Sequence, residues 1–173
     1  MNEIAERTRN TAYRIEELRR DLESYARDND IRRFVTAQEK VYATVLTELR
    51  SGQKKTHWMW FIFPQIDGLA MSQTSKHFAI KSVEEARRYL DHPLLGPRLI
   101  ECSEAALAIK DGSAEDVFGY PDDMKLRSSM TLFSYITQPT SKEPTSVFRS
   151  VLAKYFQGKT DESTIDILKG LAN

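Results

Sequence analysis

The chain contains few of the residues that build metal, redox and phosphate-loop sites. Its single cysteine, Cys102, cannot form an internal disulfide, so a reducing compartment, the cytoplasm, is expected. Cys102 falls on the apolar face of its predicted helix and is expected to be buried and unreactive. One cysteine and three scattered histidines give no zinc-ligand spacing, so no metal is predicted. The seven glycines stand mostly alone at predicted helix ends, which excludes a glycine-rich phosphate loop.

Long apolar runs and an excess of either charge are also absent. No run reaches the length of a transmembrane helix, and the charged N-terminal residues include no apolar signal-peptide core, so no membrane association is expected. The 25 basic and 25 acidic residues cancel, whereas a general nucleic-acid or membrane-surface binder would have a basic excess. With 40% hydrophobic and 29% charged residues, the composition is that of a soluble globular protein with a real core.

The aromatic residues are concentrated in residues 57–65, which include both tryptophans, Trp58 and Trp60. Such a segment is either part of the core or the aromatic wall of a ligand pocket, and the sequence leaves both readings open. Residues two apart point in nearly opposite directions on a helix and on a strand, so at most one tryptophan is expected to face a ligand. The other candidate ligand contacts of this region are Lys55, Phe63 and Gln65.

Residues 1–29 are predicted to be an N-terminal helical extension. They are rich in arginine and glutamate, and their few apolar residues are spaced as on one face of a helix. This face could pack on the rest of the protein or pair with a second subunit in a homo-oligomer, and the repeat is too short to decide for a coiled coil. The residues of the spaced face are Ile4, Thr11, Ile15, Leu18, Leu22 and Tyr25.

Residues 30–173 are predicted to form one compact multihelical domain, so the fold class is mainly α. Capping residues and glycines predict where its helices begin and end. Predicted beginnings are Asp30, Thr56, Ser82, Pro97, Asp122 or Asp123, Ser146 and Asp161, with a short turn at Ser113 to Asp116. The length of the aromatic element after Thr56 also suits a buried strand. Predicted ends are Gly52, Pro64, the residue before Pro93, Gly112 and Gly158.

The segment KTHWMWFIFPQ at residues 55–65 resembles the signature of the domain-of-unknown-function-1810 family. Further segments resemble the same family in the same order. This resemblance runs from about residue 31 to the C-terminus and leaves the N-terminal extension outside it. It implies a compact multihelical fold and no settled biochemical function. The further matching segments are residues 85–90 with 92–99, 122–133 and 152–158.

A second resemblance concerns activity. Ser75-Lys76-His77-Phe78, Asp122 to Arg127 and Lys154 to Gln157 are similar in order to elements of the NADAR superfamily. Members of that superfamily are linked to ADP-ribose chemistry, including removal of ADP-ribose from nucleobases. The chain departs from the pattern at Lys76, where the superfamily has glutamate.

Residues 122–129 are predicted to carry the chemistry of the site. On a helix, Asp122, Lys125 and Ser129 share one face. A lysine near carboxylates can bind a phosphate, and a desolvated lysine can form a Schiff base with a sugar aldehyde. A helix-capping aspartate and exposed salt bridges would explain the same pattern without a function.

The other candidates are chosen by residue type. His57 is the general acid–base candidate because histidine exchanges protons near neutral pH, although it could equally lie at the edge of the core. Arg98 and Arg127 could clamp a phosphate or form surface ion pairs. The predicted catalytic residues are Lys125, His57 and Asp122. The predicted ligand contacts are Lys55, Trp58, Trp60, Phe63, Gln65, His77, Arg98, Arg127, Ser128 and Ser129.

Three functions fit the sequence. The first is binding of a nucleotide or ADP-ribose in a deep pocket between residues 57–65 and 122–129, extended to hydrolysis of ADP-ribose-type N-glycosides. The second is a non-catalytic interaction module that oligomerises through residues 1–29. The third is nucleic-acid binding through a basic face that the neutral total hides. No cofactor is predicted, and the sequence leaves open whether the protein is an enzyme.

Overall fold

The structure is a computed structural model that describes residues 2–137 and 146–171, without the side chains of residues 2–12 and 23–29. In these ranges the chain forms ten helices and no strand, which confirms the mainly α class. An isolated parallel bridge pairs Ile66 with Ile80. The helices are α1 Asn2–Gln38, α2 Tyr42–Arg50, α3 Met59–Ile62, α4 Gln73–Phe78, α5 Val83–Asp91, α6 Leu95–Ala108, α7 Ala114–Phe118, α8 Asp122–Ile136, α9 Val147–Phe156 and α10 Glu162–Leu171.

None of the described helices combines the length and the apolar character that a membrane crossing requires.

The chain divides into two compact units, Met1–Arg33 and Phe34–Asn173. The first unit contains most of α1, and neither glycine nor proline occurs in residues 2–38. The helix predicted to begin at Asp30 therefore continues from the preceding residues, and the predicted beginning is wrong.

In the second unit, the predicted helix ending at Gly52 is divided by a turn at residues 39–41. The fully buried Gln38 side chain fixes the end of α1, because its amide donates to the Phe61 carbonyl oxygen at 2.7 Å and to the Tyr89 hydroxyl at 3.1 Å. Gly52, with a φ of 73°, follows the end of α2 as predicted.

The aromatic segment forms the short helix α3 and the turns on either side of it. The N-cap position is occupied by Trp58 rather than by the predicted Thr56. The Thr56 hydroxyl is engaged elsewhere, since it donates to the Glu48 carboxylate at 2.8 Å. Most of the segment is core, because Trp58, Ile62 and Phe63 are at most 1% exposed.

The helices α5 and α6 form a hairpin that crosses closely at Gly96. Ser82 caps α5 as predicted, with its hydroxyl accepting from the Glu85 amide at 3.1 Å. Pro97 lies in the first turn of α6, also as predicted. A Cβ atom on Gly96 would lie 1.9 Å from the Leu90 carbonyl oxygen, so only glycine allows this approach.

The end of α6 differs from the prediction. The helix stops at Ala108 rather than near Gly112. Groups from α9 satisfy its last carbonyl oxygens, since the Lys154 ammonium donates to Leu107 at 2.8 Å and the Tyr155 hydroxyl donates to Ala106 at 2.7 Å. With those acceptors satisfied, the helix needs no glycine to end.

The centre of the second unit is α8, which packs against α5, α7, α9 and α10. It begins at Asp122 as predicted, and nine of its residues after the first turn are buried. The first turn, Asp122 to Lys125, is less buried and faces the loop that follows α2. The candidate functional site includes this turn.

Candidate functional site

The Glu48 carboxylate organises the loop between α2 and α3. It accepts hydrogen bonds from the Lys55 amide at 2.8 Å, from the Thr56 amide at 3.1 Å and from the Trp58 indole nitrogen at 2.8 Å. Burial alone would raise the pKa of Glu48, but these donors lower it to about 2. The ionised carboxylate therefore fixes the position of the loop that carries Lys54.

Lys54, Asp122 and Lys125 form a cluster that we term the lysine cluster. The Lys54 ammonium lies 2.6 Å from Asp122 Oδ2, and the Lys125 ammonium lies 2.7 Å from Asp122 Oδ1. The side chains are 7%, 18% and 18% exposed in the order Lys54, Asp122, Lys125, so the charges are largely removed from solvent. One carboxylate is shared by two ammonium groups, and neither lysine pairs with the neighbouring Asp123.

The shared carboxylate is held in its ionised form. Burial alone would raise the pKa of Asp122, but the hydrogen bonds and positive charges of Lys125 and Lys54 lower it. Each ammonium has three donors, and Asp122 accepts from one of each. The cluster can therefore bind an additional anionic group.

The two tryptophans stand beside the two lysines. The Lys54 Nζ atom lies 5.2 Å from the Trp58 ring centroid, and the Lys125 Nζ atom lies 4.7 Å from the Trp60 ring centroid. Trp58 is 1% exposed and belongs to the core, whereas Trp60 is half-buried. At most one tryptophan can thus face a ligand, as predicted from their spacing.

A small cavity borders Trp60, Gln65 and Ser75. Its volume is about 10 Å³, which is room for about one water molecule. Ligand pockets usually have about 300–1,000 Å³. This cavity is therefore not the deep pocket predicted between residues 57–65 and 122–129.

The structure brings Lys125 and Asp122 together beside Trp60, places Trp58 beside Lys54, and places Gln65 at the small cavity that Trp60 borders. Lys55, His57 and His77 are exposed, and Phe63 is fully buried in the core.

Two predicted phosphate clamps are engaged with the protein itself. The Arg98 guanidinium lies 4.3 Å from the Tyr42 ring centroid and donates to Gln38 at 3.3 Å. Arg127 donates to the carbonyl oxygens of Lys159 at 3.2 Å and Thr160 at 2.7 Å.

The two serines of α8 also differ in their surroundings. Ser128 donates to the Met124 carbonyl oxygen and bonds with Asp161 at 3.2 Å. Within the described part of the chain, the buried Ser129 hydroxyl has no hydrogen-bond partner. Of the two, Ser128 is thus part of the connection between α8 and α10.

Glu48 and Lys54 belong to the candidate site and were not among the site residues predicted from the sequence. The signal for Glu48 is its position beside Leu49 and three residues after Val45, on the apolar side of α2, where a carboxylate needs donors. Lys54 carries no such signal, because its partner Asp122 is distant in sequence.

Cys102 lies in the core, which confirms the expectation of a buried cysteine. Burial raises the pKa of its thiol to about 12. Among the described residues, no group of three or more histidine, cysteine, aspartate or glutamate side chains could hold a metal ion.

Residues 28–168 match the sequence model of a family described as "Protein of unknown function (DUF1810)". The chain belongs to this family. It is also similar to a conserved hypothetical protein from Mycobacterium tuberculosis with a crystal structure, with 47% sequence identity and a TM-score of 0.76. That similarity covers 81% of this chain and 96% of the other. No curated protein gives a significant match.

The family membership predicted from the aromatic segment is confirmed, and the matched range includes the whole lysine cluster. The descriptions of the family and of the Mycobacterium tuberculosis protein name no activity.

Proposed function

We propose that the protein binds a nucleotide of the ADP-ribose type, with a phosphate between the ammonium groups of Lys54 and Lys125. The supporting observation is the single Asp122 carboxylate shared by two largely buried lysines. Among these three side chains, two positive charges face one negative charge, and low exposure strengthens their attraction for an anion. A phosphate oxygen can accept from the remaining donors of both ammonium groups.

The half-buried Trp60 ring supports a nucleotide rather than a bare phosphate. Its centroid lies 4.7 Å from the Lys125 ammonium, so an aromatic surface adjoins the anion site. Bases stack on aromatic side chains without a requirement for a particular sequence. A ligand with a phosphate and a base can therefore contact both features.

Hydrolysis of an N-glycosidic bond is the catalytic extension of this proposal. Water would attack the anomeric carbon of ribose, the bond to the base nitrogen would break, and the leaving nitrogen would take a proton. Asp122, whose pKa is lowered, stays ionised and holds the Lys54 and Lys125 ammonium groups in position for the phosphate. The exposed His57 is the proton-transfer group of this extension, and Lys125 contacts phosphate.

The binding proposal is tested by calorimetric titration with ADP-ribose, AMP and ribose 5-phosphate. Lys125→Met keeps the length of the side chain and removes its charge. We expect a 10- to 100-fold loss of affinity, since charge-assisted hydrogen bonds contribute about 1.5–3 kcal/mol. Lys110→Met, at an exposed lysine after α6, is the matched control and should bind like the wild type.

Equal affinity of Lys125→Met and the wild type would contradict the proposal, as would the absence of binding to the wild type. A thermal melt of each variant separates loss of affinity from loss of fold. To test hydrolysis, the protein is incubated with NAD and with an ADP-ribosylated base, and chromatography detects any ADP-ribose that is released. Binding without release would remove the hydrolytic extension and leave the binding proposal standing.

A second candidate function rests on the exposed apolar face of α1. Ile15, Leu18 and Leu22 are 56%, 57% and 68% exposed, and they fall on one face of the helix. Residues 1–29 contain seven acidic and six basic residues, so the segment is nearly neutral and net charge does not repel a second copy of it. We infer that its partner is a second copy of this chain.

Light scattering coupled to size-exclusion chromatography tests this second candidate. The full chain should have the mass of two copies at micromolar concentration. The double variant Leu18→Asn and Leu22→Asn should have the mass of one, whereas Arg20→Asn, on the opposite face, should leave the mass unchanged. A wild-type protein with the mass of a single copy would exclude self-association through this face.

A further inference from the structure

A second concave site lies between α8, α9 and α10. This groove has a volume of about 370 Å³, which falls within the usual range of ligand pockets. Its surface is mostly apolar, with Leu152, Ala153 and Ile165 among the lining residues. Its polar lining residues are Ser134, Tyr135, Arg149 and Thr160.

The wall formed by residues 158–161 is held in place from α8. Arg127 donates to the carbonyl oxygens of Lys159 and Thr160, and the Thr131 hydroxyl accepts from the Asp161 amide at 2.9 Å. Gln157 and Gly158 have φ values of 56° and 75°, so the chain turns away from α9 in the left-handed conformation. The groove is therefore a built feature of the fold.

The charge of Arg149 is not balanced inside this groove. In the described part of the chain, the half-buried Arg149 has no carboxylate partner, and the Tyr135 hydroxyl has no hydrogen-bond partner. The nearby Asp161 carboxylate is already engaged by the Thr164 amide at 3.0 Å and by the Ser128 hydroxyl at 3.2 Å. A cation beside an apolar surface attracts an anion with an apolar body.

We propose that this groove is a second ligand site, which binds a small organic carboxylate with an apolar body. The carboxylate pairs with the Arg149 guanidinium and accepts from the Tyr135 hydroxyl. The body of the ligand covers Leu152, Ala153 and Ile165. The site is separate from the lysine cluster and does not depend on the function proposed for it.

The test uses 4-phenylbutyrate and its neutral amide in ¹H–¹⁵N NMR titrations of the full chain. We expect the carboxylate to shift the resonances of groove residues and to bind at least tenfold more tightly than the amide. Arg149→Gln should remove the preference for the acid over the amide. Ala153→Phe, which fills the groove, should weaken the binding of both compounds. Arg87→Gln, at an exposed arginine of α5, and Lys125→Met should leave the binding of both compounds to the groove unchanged.

Three results would overturn the proposal: no shifts of groove residues at 10 mM compound, equal binding of acid and amide, or unchanged binding by Arg149→Gln. Because Lys125→Met tests only the lysine cluster, failure of one site does not imply failure of the other.

Discussion

At the scale of single residues, the Glu48 carboxylate holds the backbone that carries Lys54. Its oxygens accept from two backbone amides, a hydroxyl and an indole nitrogen, all between Lys55 and Trp58. Glu48 itself is 6% exposed. A buried carboxylate with four donors stabilises the fold, and loss of its charge leaves those donors without a full partner.

Glu48→Gln should lower the free energy of unfolding by about 1.5–3 kcal/mol at pH 7, as expected for lost hydrogen bonds to a charged group. Because folding lowers the pKa of Glu48 from 4.5 to about 2, the unfolded chain binds more protons in that interval. The stabilisation is therefore fully present above pH 4.5 and is lost as the pH falls toward 2. Urea unfolding measures the free energy of unfolding of the wild type and the variant at pH 7 and at pH 3. The difference between the two proteins should be smaller at pH 3.

Glu104→Gln, at an exposed position of α6, serves as the control and should change stability little at either pH. A Glu48→Gln variant as stable as this control at pH 7 would contradict the role given to the carboxylate.

The burial of single residues was predictable from the sequence where a local spacing rule applied. The spacing of Trp58 and Trp60 predicted that one would be core, and the apolar helix face predicted the burial of Cys102. The place of Lys54 in the lysine cluster was not predictable, because its ion pair with Asp122 depends on how the loop after α2 reaches α8. Long-range pairing of polar groups has no periodic signal in a single sequence.

At the scale of elements, the hairpin of α5 and α6 depends on a close backbone approach. A Cβ atom on Gly96 would lie 1.9 Å from the Leu90 carbonyl oxygen. Because this oxygen belongs to the backbone, it cannot move aside as the end of a flexible side chain can. Arg98 and Tyr89, which contact the Gln38 amide, lie on these two helices. The crossing therefore also affects the end of α1.

Gly96→Ala should destabilise the fold by about 1–3 kcal/mol, as expected for overpacking in a well-packed contact. Gly170→Ala is the matched control, because a Cβ there meets no atom within 4 Å and alanine favours a helix by up to about 1 kcal/mol. Thermal melts of the two variants should move in opposite directions. A Gly96→Ala variant with the wild-type melting temperature would show that the approach of the two helices is not tight.

Element boundaries were predictable where a capping side chain sets them, as at Ser82 and Asp161. They were wrong where tertiary contacts replace the local signal. The Lys154 ammonium ends α6 before Gly112, and the buried Gln38 amide marks the end of α1. Both contacts join residues far apart in sequence.

At the scale of the whole molecule, the fold places α8 at the centre and leaves its first turn against the loop after α2. The aromatic segment lies mainly in the core, and only His57, Trp60 and Gln65 of its residues are partly or fully exposed. The fold class and the family were therefore predictable from the sequence, whereas the pairing of Lys54 with Asp122 in a largely buried cluster was not.

The most direct measurement is a crystal structure of the full chain grown with ADP-ribose. We expect the diphosphate to lie within hydrogen-bond distance of the Lys54 and Lys125 ammonium groups, with one end of the ligand against the Trp60 ring. A ligand bound elsewhere, including beside Arg149, or crystals without the ligand at millimolar concentration, would contradict the assignment of the lysine cluster as a nucleotide site.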